Sequence, residues 1–275
     1  MSRHNLTDTE WNAIRVFLPA ERPKKAGRPW SPHRQVIDGI LWVLCTGSSW
    51  KDIPPEFGKH KTIYNRFLRW TQEQLWERII NKLLHRLDAQ GKIDRSLWCV
   101  DGSVIRAHRV ASGAPKGELE SEENAKKNAL GRSRGGYSTK IHVATDAKGL
   151  PLAVTATPGQ GGEAPEFENL LASIPLSLHR KCKRPKAVAG DKAYSSKAIR
   201  SHLQRKSISD IIPTRTNERR SKRFEKKLYK KRNIVERVIG WLKEHRRIAT
   251  RYDKIVDNYL AMIKIAFMRM LIKRY

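Results

Sequence analysis

Apolar residues in the first 90 positions recur at the three- and four-residue spacing of amphipathic helices. Thr7 and Glu10 form a capping-box pattern ahead of the first stripe. A break at residues 46–49 and a proline pair at residues 54–55 separate the later stripes. The pattern predicts four helices, with inward residues Trp11, Ile14 and Leu18, then Val36, Ile37, Ile40, Leu41 and Leu44, then Ile63, Phe67 and Trp70, and finally Leu75, Ile79, Leu83 and Leu87.

The order of these helices resembles a helix-turn-helix, in which a glycine-containing break precedes a helix with basic outward residues. Lys61, Arg66 and Arg69 are the predicted outward residues of the third helix. Any small helical bundle gives the same pattern, so this segment either reads DNA or only packs and dimerises. We predict an all-helical, helix-turn-helix-like domain over residues 1–90.

Short apolar strands alternate with helices from residue 91 onward. Residues 141–145 and 151–155 flank a turn ending in Gly149, which predicts a hairpin. Further strands are predicted at 97–100, 187–190 and 208–213, and Val104 with Ile105 is predicted to carry extended structure beyond Asp101. Helices are predicted at 167–173, 196–205 and from about 224. Residues 112–134 have few apolar side chains and are predicted to be a mobile loop. The pattern indicates an α/β domain over residues 91–275, a mixed sheet flanked by helices.

The net charge of the chain indicates that the protein binds a polyanion, which the pattern of helices and strands does not show. Lys and Arg number 56 against 27 Asp and Glu, a formal net charge of +29. A field of that size favours a partner that neutralises it, and phosphate contacts by Lys and Arg supply sequence-independent DNA affinity. Double-stranded DNA is therefore the expected partner.

The cysteines and the apolar runs exclude several other classes. Cys45, Cys99 and Cys182 are odd in number and widely spaced, which argues against a disulfide scaffold and a Cys-x-x-Cys zinc site. Residues 1–10 lack the apolar run of a signal peptide, and charges interrupt the apolar stretch 259–272. We expect a reduced, cytoplasmic, nucleoid-associated protein of a prokaryote, without a membrane span.

Two aspartates directly follow apolar strands, where functional groups of α/β sheets gather. Asp101 follows residues 97–100, and Asp191 follows residues 187–190. Each has an ordinary alternative: Asp101-Gly102 could be a hairpin turn, and Asp191 a helix cap. The pair in so basic a chain favours metal ligands.

A third acid is singled out by helical phase. Tyr229, Arg232, Glu236 and Lys243 lie within roughly 60° of one another at 100° per residue. The apolar stripe beside them would dock this helix on the sheet. An ordinary salt bridge between Glu236 and Arg232 is the alternative. Carboxylates are the hard ligands that Mg²⁺ prefers, and two such ions suit phosphodiester cleavage.

The spacing of these four residues resembles the Y-(2)-R-(3)-E-(6)-K signature of DDE insertion-sequence transposases. Residues 98–103, 131–142 and 190–196 resemble the IS-five branch of that family, as do residues 38–42 and 47–54. The resemblance implies an RNase H-like core and Mg²⁺-dependent cleavage at element ends with strand transfer, Mn²⁺ substituting. It also implies terminal inverted repeats bound by a dimer or larger assembly. Asp101, Asp191 and Glu236 match the three catalytic acids.

Basic and aromatic residues around these motifs are the candidate DNA contacts. Residues 215–254 carry sixteen Lys or Arg against five acids, which predicts a phosphate track beside Glu236. Two other functions stay open, a DNA endonuclease without strand transfer and a catalytically idle DNA-binding regulator. The candidate contacts are Tyr229, Arg232, Lys243, Lys140, Lys192, Lys51, Lys61 and Arg66.

Overall fold

The N-terminal helices form where their apolar stripes predict. The computed structural model describes residues 4–21, 30–111, 128–133, 135–175, 184–216, 218 and 224–274. The helices are α1 (Asp8–Arg15), α2 (His33–Thr46), α3 (His60–Gln72) and α4 (Leu75–Ala89). Thr7 and Glu10 close the predicted capping box, and α2 ends at Gly47 with a φ of 71°.

Arg66 corrects the predicted outward face of α3. Its side chain is buried, donates to His33 Nδ1 at 2.8 Å and lies over the rings of Trp30 and Trp70. Lys61 is exposed as predicted. Arg66 follows Lys61 by five residues, about 140° around the helix, so the exposed lysine and the buried arginine lie on different faces. The aromatic rings instead provide a contact for the flat guanidinium that the spacing of charges alone does not reveal.

The described residues of the remaining chain build a seven-stranded mixed sheet. The strands are β1 (Trp98–Ala107), β2 (Gly131–Ser133), β3 (Gly136–Asp146), β4 (Pro151–Pro158), β5 (Ala187–Ala189), β6 (Ser209–Ile211) and β7 (Thr250–Arg251). The main order is β4-β3-β1-β5-β6, with β3 antiparallel to both neighbours and β5 parallel to β1 and β6. This order and these directions are those of an RNase H-like core.

Two predictions about β1 and the loop after it were wrong. The strand does not end at Asp101 but runs on through Val104 and Ile105, where extended structure was predicted, to Ala107. It is paired with β3 across Asp101-Gly102, which is therefore not a turn. Part of the predicted loop 112–134 is β2, which pairs with the start of β3. Residues 112–127 and 134 lie outside the described residues. The β3–β4 hairpin is confirmed, with Gly149 at a φ of 79° in its turn.

Helices cover the sheet and connect its strands. They are α5 (Phe167–Ala172), α6 (Lys197–Arg205), α7 (Lys226–Lys230), α8 (Asn233–Glu244), α9 (Arg246–Ala249) and α10 (Val256–Ile272). The buried side of α8 consists of the predicted Val235, Val238, Ile239 and Leu242 together with Ile234. Ile234 packs on Gly149, where an added Cβ would lie 2.9 Å from its side chain. The hairpin turn therefore packs against the first turn of α8.

The end of the chain packs against its beginning. Lys264 of α10 pairs with Glu77 of α4, and Arg269 lies 3.5 Å from Glu10. One apolar core of buried side chains runs from Leu6 to Ile272. The division at residue 90 stays a prediction, since the last helix is shared with the N-terminal helices. Among the described residues no helix is both long enough and apolar enough to cross a membrane.

Candidate active site

Asp101 and Asp191 meet because their strands are neighbours. Cys99 of β1 pairs with Ala189 of β5 in parallel register. Two residues beyond this pair lie Asp101 on one segment and Asp191 on the other. Strand β5 ends at Ala189, and the chain turns away through Gly190. This leaves the two carboxylates facing the same open space at the carboxyl end of β5, where α/β sheets place functional groups.

Asp101 is held in a mostly buried position. Its side chain is 16% exposed, and burial raises its pKa to about 6 against the pull of Arg232, with Glu163 and Asp191 raising it further. Crowded carboxylates disfavour one another's charged forms. A bound cation would stabilise the charged form of Asp101 against burial and this repulsion, so the electrostatics of Asp101 fit a metal ligand.

Asp191 also caps the turn that follows it. Its Oδ1 accepts the Ala193 backbone N–H at 2.8 Å, at the start of a short 3₁₀ turn over Lys192–Tyr194. The cap that was the ordinary alternative for Asp191 is therefore present. A carboxylate has two oxygens and several lone pairs, so one capping bond leaves capacity for a cation.

A third carboxylate in this cluster, Glu163, was missed by the sequence analysis. Oxygens of Asp101, Asp191 and Glu163 lie within 4.8 Å of one another. Glu163 follows β4 in a glycine-rich turn, next to the 3₁₀ turn Ala164–Glu166. A lone glutamate in a loop carries no periodicity, and its position next to β1 depends on the pairing of β4 with β3. The available signal was an acid in the glycine-rich turn that follows the hairpin strand, five residues after Pro158.

Lys140, a predicted DNA contact, lies beside Glu163 instead of projecting outward. Its Nζ is 3.6 Å from Glu163 Oε1 and donates to the Gly161 carbonyl at 2.9 Å. Its side chain is only 15% exposed. The lysine balances part of the negative charge of the cluster.

Glu236 lies outside this group of three acids. Its carboxylate pairs with Arg232 Nη2, which was the ordinary alternative, and 45% of its side chain is exposed. Arg232 Nη1 is in turn 3.4 Å from Asp101 Oδ1. Arg232 therefore connects Glu236 to Asp101, and both carboxylates raise the pKa of the arginine despite its burial.

Tyr229 and Glu236 do not share one continuous helix, contrary to the prediction. Helix α7 ends at Lys230 and α8 begins at Asn233, with i−3 hydrogen bonds between them. Arg232 still lies over the Tyr229 ring, with its guanidinium carbon 5.7 Å from the ring centroid. Lys243 is exposed two turns after Glu236 on α8.

Some of the other predicted DNA contacts are exposed, and some basic residues near them are buried. Lys192 is exposed beside Asp191, and Lys51 is exposed in a 3₁₀ turn. In the basic stretch 215–254, Arg247 and Arg251 are buried and cannot belong to a surface phosphate track. Residues 217 and 219–223 of that stretch lie outside the described residues. Of the cysteines, Cys45 is partly buried and Cys99 is buried, and Cys182 is not among the described residues.

Comparison with known proteins covers both parts of the chain. Residues 6–80 match the family described as "Putative transposase of IS4/5 family", and residues 92–271 match "Transposase DDE domain". A 16.2 kDa protein of insertion element IS402 from Burkholderia cepacia is 36% identical over 123 residues, which are 43% of this chain and 82% of that protein. A protein of Brucella ovis named "Putative transposase for insertion sequence element IS6501" is 31% identical over 133 residues, 47% of this chain and 94% of that one.

Among solved structures, this chain is similar to one described as a pre-cleavage Mos1 transpososome. The alignment covers 92% of this chain and 81% of the Mos1 chain, at 13% sequence identity. The TM-score is 0.27, a similarity too low to carry weight.

Proposed function

The chain belongs to the transposase DDE-domain family, and we propose that Asp101, Asp191 and Glu236 are the acids through which it cuts and joins DNA. As a member of that family it is a DNA-binding transposase whose DNA cleavage and strand transfer depend on a divalent metal. Mg²⁺ is the proposed ion, bound as a pair, with Mn²⁺ able to substitute.

The observation that carries the proposal is the meeting of Asp101 and Asp191 on neighbouring parallel strands. An all-oxygen set of carboxylates suits Mg²⁺ in ligand type and charge. Two such ions, when bound, stabilise the attacking and leaving oxygens of an in-line phosphodiester displacement. The buried Asp101 and the partly exposed Glu236 would hold them at the floor and the edge of the site.

Arg232 has two proposed roles. Without metal, its guanidinium offsets the charges of Asp101 and Glu236, since it contacts both. With metal and DNA present, its fork of donors would bind a phosphate beside the scissile bond. Tyr229, stacked beside it, would position the sugar–phosphate backbone, and the exposed Lys192 and Lys243 would bind flanking phosphates.

The proposed substrate is the pair of terminal inverted repeats that bound the element, held by a dimer or larger assembly in the cytoplasm. The net charge of +29 supports a large contact with DNA. Lys51 and Lys61, exposed on the N-terminal helices, would contribute to it.

The test separates chemistry from binding. The substrate is a linear duplex carrying the sequences that flank the gene, incubated with Mg²⁺ and the wild type, Asp101→Asn, Asp191→Asn or Glu236→Gln. We expect each variant to lose cleavage while gel-shift affinity at fixed salt stays nearly unchanged, because binding rests on the basic surface. Glu244→Gln, at the end of the same helix as Glu236, is the control and should cleave normally.

Two outcomes would contradict parts of the proposal. Full cleavage by Glu236→Gln would remove that residue from the active site. Cleavage of the ends without their joining to a target duplex would indicate an endonuclease without strand transfer.

A further inference from the structure

We propose that Glu163 is a metal ligand alongside Asp101 and Asp191, so that a three-carboxylate cation site exists before DNA binds. This inference rests on the proposed function, since it adds a fourth acid to the same site. In this proposal Glu163 is a metal ligand of the enzyme without DNA, and Glu236 becomes a ligand when DNA is bound.

The packing of Glu163 aims its carboxylate at the cluster. Its carboxyl group lies over Gly102, where an added Cβ would come within 2.8 Å of the carboxyl carbon. A larger residue after Asp101 would displace this carboxyl group. Oε1 of Glu163 faces Lys140 at 3.6 Å, whereas Oε2 is buried and has no hydrogen-bond partner among the described residues. A buried carboxylate oxygen without a partner is costly unless a cation or a water occupies its lone pairs.

A second observation comes from Tyr194, whose side chain is fully buried at 0% exposure. Its hydroxyl finds no hydrogen-bond partner within the described part of the chain. The ring packs on Gly190, where an added Cβ would lie 2.9 Å from it. Burial, and then the negative charges of Glu163, Asp101 and Asp191, raise the pKa of the hydroxyl. A hydrated cation bound by the three acids would supply the missing partner through one of its water molecules.

Glu236 is placed differently. It is three times as exposed as Glu163, at 45% against 15%, and Arg232 already neutralises it. Arg232 also contacts Asp101, so Glu236 reaches the cluster only after Arg232 has moved. A DNA phosphate is the anion that would draw the arginine away. The resting site therefore has Glu163, and not Glu236, as its third carboxylate.

The first experiment measures Mn²⁺ binding to the full chain without DNA, by the loss of the free-ion electron paramagnetic resonance signal. Glu163→Gln should weaken binding by about tenfold or more, a loss that even the outer partners of metal ligands typically cause. Glu166→Gln, three residues further along the same segment, is the matched control and should bind like the wild type. Unchanged affinity in Glu163→Gln would overturn the proposal.

A second measurement needs no substitution at Glu163. The wild type is labelled with ¹³C at its glutamate carboxyls, and electron–nuclear double resonance on bound Mn²⁺ detects a coupled carboxyl carbon. We expect the coupling in the wild type and in Glu236→Gln. No coupling in the wild type, or a coupling that Glu236→Gln abolishes, would overturn the assignment.

The failure of this inference is distinct from failure of the proposed function. If Asp101→Asn and Asp191→Asn lose Mn²⁺ while Glu163→Gln keeps it, the metal site stands and Glu163 is not a ligand. If none of the three substitutions changes Mn²⁺ binding, the metal site itself is elsewhere and both proposals fall.

Discussion

Arg232 lies against Asp101, with Nη1 3.4 Å from Oδ1, in an ion pair without hydrogen-bond geometry. The arginine enters from the turn between α7 and α8, while the aspartate lies within the central strand. A positive charge therefore already occupies part of the space beside the carboxylates that a metal ion would bind. Binding of the ion and contact with the arginine are expected to compete.

That competition predicts opposite effects of Arg232→Ala on metal affinity and on catalysis. Mn²⁺ affinity without DNA should rise several-fold, because a neighbouring like charge is removed. Cleavage of element ends should fall by at least tenfold, because the phosphate loses a charged donor. Both quantities are measured on the same protein preparation. Arg237→Ala, an exposed arginine of the same helix, should change neither. A joint fall of affinity and activity would contradict this account.

The buried His142 is expected to make the free energy of unfolding depend on pH. It is buried in β3 with Nε2 2.8 Å from Thr157 Oγ1, and burial lowers its pKa to about 4 from 6.5, with a smaller effect of Lys140. The unfolded chain takes up the proton as pH falls through about 6.5, whereas the folded chain does so only near 4. Stability is therefore present above the unfolded pKa and is lost between these values, by at most on the order of 3 kcal/mol.

The measurement for His142 is urea unfolding of the wild type and His142→Gln with chelator at several pH values from 4 to 7. The difference between the two proteins should shrink as the pH falls, because only the wild type loses this contribution. His85→Gln, an exposed histidine of α4, provides the control. A difference that stays constant with pH would exclude the histidine as the cause.

Replacing Arg251, which lies away from the carboxylate cluster, is expected to lower the stability of the fold. Its guanidinium is fully buried and donates to the carbonyls of Asn128, Ala129, Asp253 and Lys254 and to Thr139 Oγ1. Arg251→Met would leave these acceptors buried and unpaired, at about 1–3 kcal/mol for each that water cannot reach.

We therefore expect Arg251→Met to lower the free energy of unfolding by about 3 kcal/mol or more. Chemical denaturation followed by circular dichroism measures the change. Arg237→Met at an exposed position should cost less than about 0.5 kcal/mol. Equal stabilities of the two variants would show that the buried bonds of Arg251 contribute little.

Lys243 is expected to contact one phosphate of bound DNA. It is exposed on α8 two turns beyond Glu236. Lys243→Ala should weaken binding to duplex DNA and reduce the slope of log affinity against log salt by about 0.9, the value for one phosphate in B-DNA. Titrations between low and moderate salt give the slope, and Lys273→Ala at the end of α10 is the comparison. An unchanged slope would remove Lys243 from the DNA contacts.

Hydrophobic periodicity by itself determined most of the elements. The stripes of α2, α3 and α4, the β3–β4 hairpin and the buried side of α8 follow from local spacing, because each element buries one face and must repeat at its own period. The strand positions of Asp101 and Asp191 and the spacing of Tyr229, Arg232, Glu236 and Lys243 were likewise readable, and with them the family.

Tertiary structure alone decided how the acids are grouped. Glu163 joins Asp101 and Asp191 because β4 returns beside β3 and the glycine-rich turn after it passes over Gly102, a contact between residues 61 positions apart in the chain. Arg66 is buried because two tryptophans flank it, and Glu236 is kept from the cluster by Arg232. Such contacts depend on loop paths and on competition between charges, which no local pattern encodes. The sequence thus determined the chemistry available, and the fold decided which carboxylates meet.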